Sequence, residues 1–582
     1  MKQILRKRGL AEFGLVAIVF LLYGQFLWNP ILFDDRPFFM PDENGLMPMA
    51  SYHFSLFEVR SLPYGTIAWT QKWFGQDLIN FRLGNLVLHA GVVLTLFFFL
   101  QALFLTTMVT QNNHVSGKGL SPRQAAFFAA VLFALHPVAT FAVGYLVQRT
   151  IVMATLFSLL SMLVYVKGSL HGNSIILWMT VPLYFLAVFS KEHAILMPSV
   201  LMALTVLLHT DWPSILKQRY KIFLAQTAIA VFVILAKRGM LGEIYEIDAP
   251  SLLLNGVAFA HPLSALTQTW LFFKYAGLWL LPNSAWMSID MREPFATSIF
   301  SIYLMSTACF IAWGAFAVQL LLKRGLPGLA GFGMLFPWLL FFTEFSTVRI
   351  QEIFVLYRSY LWAAGAFCLV PVLFSRVKRG LATLVLTLIA LAMVAISMER
   401  LMVMSQPLFV WGDAEKLVKD RTNLPGVYRI YYNRGVEYVT LGMADRAIAD
   451  LEKAIELNRK FGPSYGALGV AYLDKDNAPK AIEMFRTGIV VDEQSGKSPD
   501  QTHLGESHGN LGLAYLKNQD WAVAAEEFSK AIDMARSTGR RVAVRDIYGR
   551  GQAYEKIGDL HKAQIDFKES CRIAKKGCEK AS

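Results

Sequence analysis

The sequence predicts an all-α protein in two parts, a polytopic helical membrane domain followed by a soluble solenoid of paired helices. Three observations predict it. Of the 582 residues, 55% are hydrophobic and only 17% charged, and the mean hydropathy is positive, which is too apolar for one soluble domain. The apolar residues fall in blocks long enough to cross a bilayer, not in amphipathic periods. After Arg400 the composition turns abruptly charged and helical, with an internal repeat.

A formal net charge of +13 would suit nucleic acid. Many of the lysines and arginines, however, sit in short clusters at the ends of apolar blocks, the positive-inside signature of a membrane protein, so nucleic acid is not an expected partner. The clusters are Lys2/Arg6/Lys7/Arg8, Lys118/Arg123, Lys167, Lys217/Arg219/Lys221, Lys323/Arg324 and Arg376/Lys378/Arg379. Placing all of them in the cytoplasm gives a cytoplasmic N-terminus and about eleven spans, at 9–28, 84–106, 124–142, 150–167, 175–190, 194–210, 222–236, 298–322, 327–343, 359–375 and 381–398. The part beyond them then lies outside. The first apolar run has no small-residue cleavage site and reads as a retained span. Leu263 to Leu281 breaks the charge bias if counted as a span, so it reads as an amphipathic or re-entrant helix in an outer loop, with Lys274 and Tyr275 at the interface. The first outer loop, Asn29 to Leu83, carries Trp69, Trp73 and Phe74 and reads as a segment lying on the membrane over a cavity.

In the second part, Gly435, Tyr438, Gly442, Ala447 and Ala454 recur 34 residues later as Gly469, Tyr472, Asp476, Ala481 and Gly488. That period, with small and aromatic residues at those offsets, marks the tetratricopeptide (TPR) helix-turn-helix repeat, whose small positions let paired helices pack closely. Further copies run through Gly512, Tyr515, Ala524, Phe528 and Ala531, and through Gly551, Tyr554, Gly558, Ala563 and Phe567. The expected division is a membrane domain over 1–400, a linker helix over 401–427 and repeats at 428–461, 462–495, 505–538 and 544–577, with a polar insertion from Gln494 to Thr502. Four copies suffice for a short peptide-binding solenoid. Cys309 and Cys368 lie in apolar spans and read as inert. Cys571 and Cys578 would be about 10 Å apart on a regular helix, too far to bond, unless Gly577 breaks the helix and lets them meet.

Just beyond the first span stands Phe33-Asp34-Asp35-Arg36-Pro37. Two acids that close to lipid must face water, a cation or a substrate. A solvated turn before Pro37 is the plainer reading.

Several segments carry a family resemblance: Phe81-Arg82-Leu83-Gly84-Asn85-Leu86 through His89, Leu132-Phe133-Ala134-Leu135-His136-Pro137 with Gln148-Arg149, Ser190-Lys191-Glu192, and Leu266-Thr267-Gln268 through Tyr275 to Leu281-Pro282. In this order, and followed by the repeats, they resemble the transmembrane-and-TPR O-mannosyltransferases and their bacterial relatives, in the GT-C class of polyprenyl-phosphate-sugar-dependent glycosyltransferases. The resemblance implies about eleven spans, an acidic motif in the first outer loop and outward-facing repeats. It departs at Gln351-Glu352-Ile353-Phe354-Val355-Leu356-Tyr357-Arg358-Ser359-Tyr360-Leu361, where the family's Glu-Arg-x-x-Tyr-Leu-Pro-Ser segment has no proline counterpart and its register is open between Glu352 and Arg358.

The implied reaction is transfer of a sugar from a polyprenyl-phosphate carrier to a Ser or Thr hydroxyl of an exported protein, a pilin for example, which the repeats recruit. Such a transfer needs a base, and a carboxylate of raised pKa in a low-dielectric cleft can serve. The resemblance gives that role to Asp34 or Asp35, with Asp35 favoured. The leaving phosphate needs cations, for which Arg149, Arg358 and Lys191 are the outer-side candidates; interfacial snorkelling is the plainer account of each. Glu192 and His136 are the candidates for positioning substrate, against a structural ion pair and a capped span end. His89, within a span, reads as a packed polar residue. No cluster has metal-ligand spacing. A divalent cation, magnesium or manganese, joining Asp34 or Asp35 to the carrier stays open for a diphosphate carrier, which the oligosaccharide transferases of the class use with a metal. The absence of nucleotide-binding fingerprints speaks against a soluble nucleotide-sugar donor.

Two other classes remain in view: an O-antigen-ligase-like oligosaccharyltransferase, for which the late outer loop Glu344 to Tyr357 is short, and a non-catalytic membrane scaffold that displays repeats to envelope or pilus partners. Short loops and a brief basic N-terminus indicate a bacterial inner-membrane protein with periplasmic repeats.

Overall fold

The computed structural model describes residues 2–41, 47–109, 119–236, 259–350, 352–494 and 501–581. Lys118 of the second basic cluster and most of the expected Gln494–Thr502 insertion lie outside them. The described residues are helical, with one isolated antiparallel bridge, Met291 to Phe354, and no strands. Helices of eleven residues or more are numbered here in chain order. The chain forms two compact units, one holding Met1–Met40 and Met47–Gln406, the other Pro407–Ser582.

The first unit contains α1 (Lys2–Tyr23), α2 (Ser61–Phe74), α3 (Leu78–Val109), α4 (Pro122–Ala134), α5 (Arg149–His171), α6 (Thr180–Ser190), α7 (Met197–Leu208), α8 (Tyr220–Ala236), α9 (Ala260–Leu280), α10 (Ile302–Leu322), α11 (Gly325–Phe341) and α12 (Arg379–Val403). Among the described residues seven helices are long and apolar enough to cross a membrane, or up to nine if each of two bent pairs is one span. The two remaining segments expected to cross, Ser174–Ser190 and Glu192–Leu208, are shorter apolar helices. α9, at 21 residues, is too polar to count among the candidate spans.

Side-chain polarity explains the breaks. α4 opens with a capping box, Ser121 and Gln124 each satisfying the other's backbone, and with Pro122 in the first turn. It ends before His136-Pro137, where the pair Pro122–Ala134 and Pro137–Val143 bends by 51°. The carbonyls freed there find side-chain donors. Ser397 bonds Leu135 O at 2.7 Å, and Ala134 O receives His89 Nε2 at 3.4 Å and the Tyr23 hydroxyl at 3.5 Å. His89 also meets the Tyr360 hydroxyl at 2.6 Å, so it is the packed polar residue that its place in a span suggested. Small residues permit close helix contact elsewhere: a Cβ on Gly331 of α11 would stand 2.3 Å from the Leu321 nitrogen of α10.

In the second unit α13 (Pro407–Val418) precedes four helix pairs: α14 (Tyr428–Thr440) with α15 (Ala444–Leu457), α16 (Gly462–Asp474) with α17 (Ala478–Gln494), α18 (Gln501–Lys517) with α19 (Trp521–Ser537), and α20 (Val544–Ile557) with α21 (Leu560–Ala574). In every pair the first-helix glycine faces a large residue sixteen positions on. A Cβ on Gly435, Gly469, Gly512 or Gly551 would fall 2.7, 2.7, 2.9 or 2.9 Å from Leu451, Phe485, Phe528 or Phe567. The turn between paired helices always contains one left-handed residue: Gly442 (φ 68°), Asp476 (55°), Gln519 (66°) and Gly558 (94°). The first and last pairs share a second device, a two-pronged Arg–Asp bridge at the same spacing. Arg434 meets Asp450 at 2.6 and 2.9 Å, and Arg550 meets Asp566 at 2.9 and 2.8 Å. After α21, left-handed Lys575 and Gly577 turn the chain back, and Cys571 and Cys578 are joined in a disulfide, with Cα atoms 4.9 Å apart.

Gln519 holds a left-handed conformation at a cost of about 1 kcal/mol that glycine avoids. Gln519→Gly is therefore expected to raise the thermal unfolding temperature of the repeats by a few degrees. Gly512→Ala, which pushes a methyl into Phe528, should lower stability by about 1–3 kcal/mol. Scanning the full-length protein in detergent tests both signs.

Candidate functional site

The acid pair sits on a single 3-10 turn, Phe33–Asp35, entered through a left-handed Phe33 (φ 30°). This turn sends its two carboxylates in different directions. Asp35 is fully buried; its Oδ2 accepts the Leu146 N–H at 3.0 Å and its Oδ1 the Val147 N–H at 2.8 Å. Asp34 lines a narrow cleft, with an empty volume of about 350 Å³ partly open to solvent, together with Tyr145, Asp290, Glu352, Phe354 and Tyr357.

The frame behind this turn comes from the Phe81–Leu86 motif on α3. Arg82 donates to three carbonyls, Asn29 at 2.9 Å, Pro30 at 2.5 Å and Gly144 at 2.8 Å. Asn85 donates to Tyr145 O at 3.0 Å and Leu146 O at 3.2 Å while its Oδ1 accepts Arg149 Nε at 2.7 Å. The exit of α1 and the approach to α5 are thus held to one helix. Arg149 is absorbed in the same frame: it is buried, and its remaining nitrogens reach Phe81 O at 2.8 Å and the Thr66 and Thr70 hydroxyls at 3.3 and 3.4 Å.

The other expected residues separate likewise. Glu192 forms a two-pronged bridge with Arg60, one bond 3.0 Å long, which ties the start of α2 to the α6–α7 junction. His136 is wholly buried; its Nδ1 accepts the Val138 N–H at 3.2 Å, its Nε2 meets Trp279 O at 3.0 Å, and its ring stacks on Trp279 with centroids 4.2 Å apart. It is a capped break in a helix, with both nitrogens engaged. Lys191 and Arg358, in contrast, converge beside the cleft. Lys191 Nζ stands 5.2 Å from the centre of the Tyr357 ring and donates to Gln148 Oε1 at 3.2 Å and Thr150 Oγ1 at 3.4 Å. Arg358, the next residue after Tyr357, donates to Glu352 O at 3.1 Å and to Glu344 Oε2 at 3.4 Å. Glu344 is buried and bonds His193 Nε2 through its other oxygen at 3.1 Å.

Electrostatics sharpen this division. Burial holds the Lys191 ammonium well below the ordinary lysine value, and the charges of Arg60, Arg358 and Arg349 push it the same way against the pull of Glu192. Burial raises the Asp35 carboxyl to about 6, opposed by the Val147 N–H, Arg82 and the Leu146 N–H. Both Asp35 oxygens are committed to main-chain donors, so the acid pair does not present two carboxylates to one cation. Among the described residues no group of three or more His, Cys, Asp or Glu side chains could hold a metal ion.

Three features escaped the sequence reading. Asp290 enters the cleft from the loop after α9, signalled only by three charges in Asp290-Met291-Arg292-Glu293. Tyr145 had no signal at all. Tyr275 was expected at the interface; it is instead 1% exposed, and its hydroxyl both donates to Val355 O at 2.9 Å and accepts the Val355 N–H at 2.8 Å. α9 underlies the 353–359 segment, with Gln268 bonded to Ile353 O and Trp279 to Ser359, which explains the burial. Lys274 remains part-exposed and pairs with Glu293.

The tetratricopeptide repeat family matches residues 428–461 and, through a second description of the same repeat, 547–576. The chain therefore carries TPR repeats, which generally mediate protein–protein contacts, behind several apolar helices. No curated protein matches it in sequence. Among solved structures, the crystal structure of MamA is similar to 30% of this chain, over 90% of its own length, with 22% identity and a TM-score of 0.24. The crystal structure of the APC/C hetero-tetramer Cut9-Hcn1 is similar to 90% of this chain, over 88% of its own length, with 12% identity and a TM-score of 0.27. Overlaps this loose carry no argument about the chain.

The buried acid makes stability pH-dependent. An unfolded chain releases the Asp35 proton near pH 4 while the folded chain keeps it to about 6. The folded state thus binds more protons in that window, and stability falls as pH rises through it, by roughly 3 kcal/mol. Asp35→Asn should flatten the decline. Thermal unfolding of both proteins in detergent from pH 4 to 7 reads the effect, and an undiminished slope in the variant rejects this assignment.

Proposed function

We propose that the membrane part is a GT-C-like transferase that moves a sugar from a polyprenyl-phosphate carrier to a Ser or Thr hydroxyl of an exported protein, and that the repeats recruit this acceptor. One observation carries the reading: an acid-lined cleft holding Asp34 lies beside a buried cation cluster, Lys191 and Arg358, whose lysine bonds only neutral groups. A buried ammonium among other cations is costly until an anion joins it, and a carrier phosphate is such an anion.

In this reading Asp34 takes the proton of the acceptor hydroxyl as its oxygen attacks the anomeric carbon. The bond from that carbon to the phosphate oxygen breaks, its electron pair leaves with the phosphate, and Lys191 and Arg358 meet the developing charge. Products are the O-glycoside, the polyprenyl phosphate and a proton on Asp34 that passes to water. Glu344 holds Arg358 in place, and Asp35 and Arg149 hold the backbone that presents the site. No step runs through a divalent cation, because Asp35 is spent on main-chain donors.

The Cys571–Cys578 disulfide supports an oxidising compartment for the repeats, in keeping with a periplasmic location in a bacterial inner-membrane protein. A non-catalytic scaffold would use the same repeats, but it leaves the cost of burying Lys191 beside neutral partners without an account.

Asp34→Asn should abolish transfer, and Arg358→Lys, which keeps charge but loses the forked geometry, should slow it by about tenfold to a hundredfold. Mass spectrometry of exported proteins from cells carrying each variant gives the answer, with protein level and unfolding temperature as controls. Unchanged glycan occupancy with Asp34→Asn sinks the transferase reading in favour of the scaffold.

A further inference from the structure

We infer that Asp290 is a specificity-determining residue that faces the donor sugar from the wall opposite the first outer loop, and that the site accepts a hydroxyl-rich sugar while rejecting one that bears a carboxylate. This rests on the transferase reading and extends it to the class of donor.

Charge is sorted sharply within the site. Of the described residues lining the cleft, Asp34, Asp290 and Glu352 are acids, Tyr145 and Tyr357 are phenols, and none is basic. The nearest cations adjoin Tyr357 without lining the cleft: Lys191 Nζ stands 5.2 Å from its ring centre and Arg358 is next in sequence. A carrier whose phosphate meets those cations leaves its sugar to the acids. Carboxylates bind sugar hydroxyls as acceptors, and each accepts more strongly than a neutral oxygen. The same acids repel an anionic sugar in a cleft of low dielectric.

Asp290 is mounted for this task. It is 7% exposed and paired with the buried Arg292 guanidinium. Its N–H donates to Ser288 Oγ at 3.2 Å, and Ser288 Oγ donates to its carbonyl at 3.3 Å. On one side the Met291–Phe354 bridge fixes the segment to the loop that carries Glu352; on the other, Arg400 Nη1 grips Met287 O at 2.8 Å. Burial raises the Tyr145 phenol well above its ordinary value, and the charges of Asp34, Asp35 and Asp290 all add to that rise, so acids from separate loops bear on one hydroxyl.

The test uses full-length protein in nanodiscs and three probes: farnesyl phosphate, farnesyl-phosphate-glucose and farnesyl-phosphate-glucuronate. Wild type is expected to bind the glucose carrier at least about tenfold more tightly than the glucuronate carrier. Asp290→Asn should narrow that gap by about tenfold and leave affinity for bare farnesyl phosphate unchanged, while Asp290→Glu restores the preference. Unfolding temperature checks folding, and Glu352→Gln provides the same measurement if Asp290→Asn does not fold. Wild-type selectivity in the folded variants overturns the inference alone, as does an equal loss of all three ligands, which marks a structural role. If wild type binds none of the probes, the transferase reading falls and this inference falls with it.

Discussion

The site depends on one interaction, the acceptance of the Leu146 and Val147 N–H groups by the buried Asp35 carboxylate. It ties the exit of the first span to the irregular stretch between the bent helix pair and α5. Without it two main-chain donors would be stranded in a region of low dielectric, and the Phe33–Asp35 turn would lose its direct tie to the Leu146–Val147 backbone. The turn's left-handed Phe33 is the local cost of that arrangement, and the result is that consecutive acids diverge, one into the frame and one into the cleft. Arg82 and Asn85 act on the same backbone from α3, and Arg149 closes the network from α5.

Around this anchor several buried arginines are paired with acids, whereas Arg149 of the frame and the lysine beside the cleft are held by neutral groups. Arg60 has Glu192, Arg358 has Glu344, and Arg292 has Asp290. Lys191 bonds an amide and a hydroxyl and lies against an aromatic ring. Pairing offsets desolvation, and in the proposed transfer the carrier phosphate is the anion that would offset it for Lys191. Acids line the cleft and cations adjoin it, the charge arrangement on which the proposed orientation of a phosphate-linked sugar rests.

Much of this fold was legible because its determinants are periodic or local. Blocks of apolar residues announced the helices of the first unit, and the spacing of Gly435, Gly469, Gly512 and Gly551 announced the paired helices of the second, since a Cβ at any of them meets a side chain sixteen residues on. The helix break at His136-Pro137 was missed, since the expected span 124–142 runs through it. Gly577 was the one hint that Cys571 and Cys578 could meet. The site was legible only as an inventory. Asp34, Lys191 and Arg358 were on it and converge near Tyr357, whereas Arg149, Glu192 and His136, equally eligible as charged or polar residues at span ends, turned out to be occupied by neighbours distant in sequence.

By itself, then, the sequence determined an all-α chain with apolar helices first and TPR repeats second, because hydrophobic block length and a 34-residue period act through near neighbours. Which polar residues are scaffold and which face a ligand was decided only in three dimensions. A carboxylate is spent or available according to the donors that reach it, and those that reach Asp35 come from residues 111 and 112 positions away. Asp290, brought to the cleft by a bridge to Phe354, belongs to the site for the same reason.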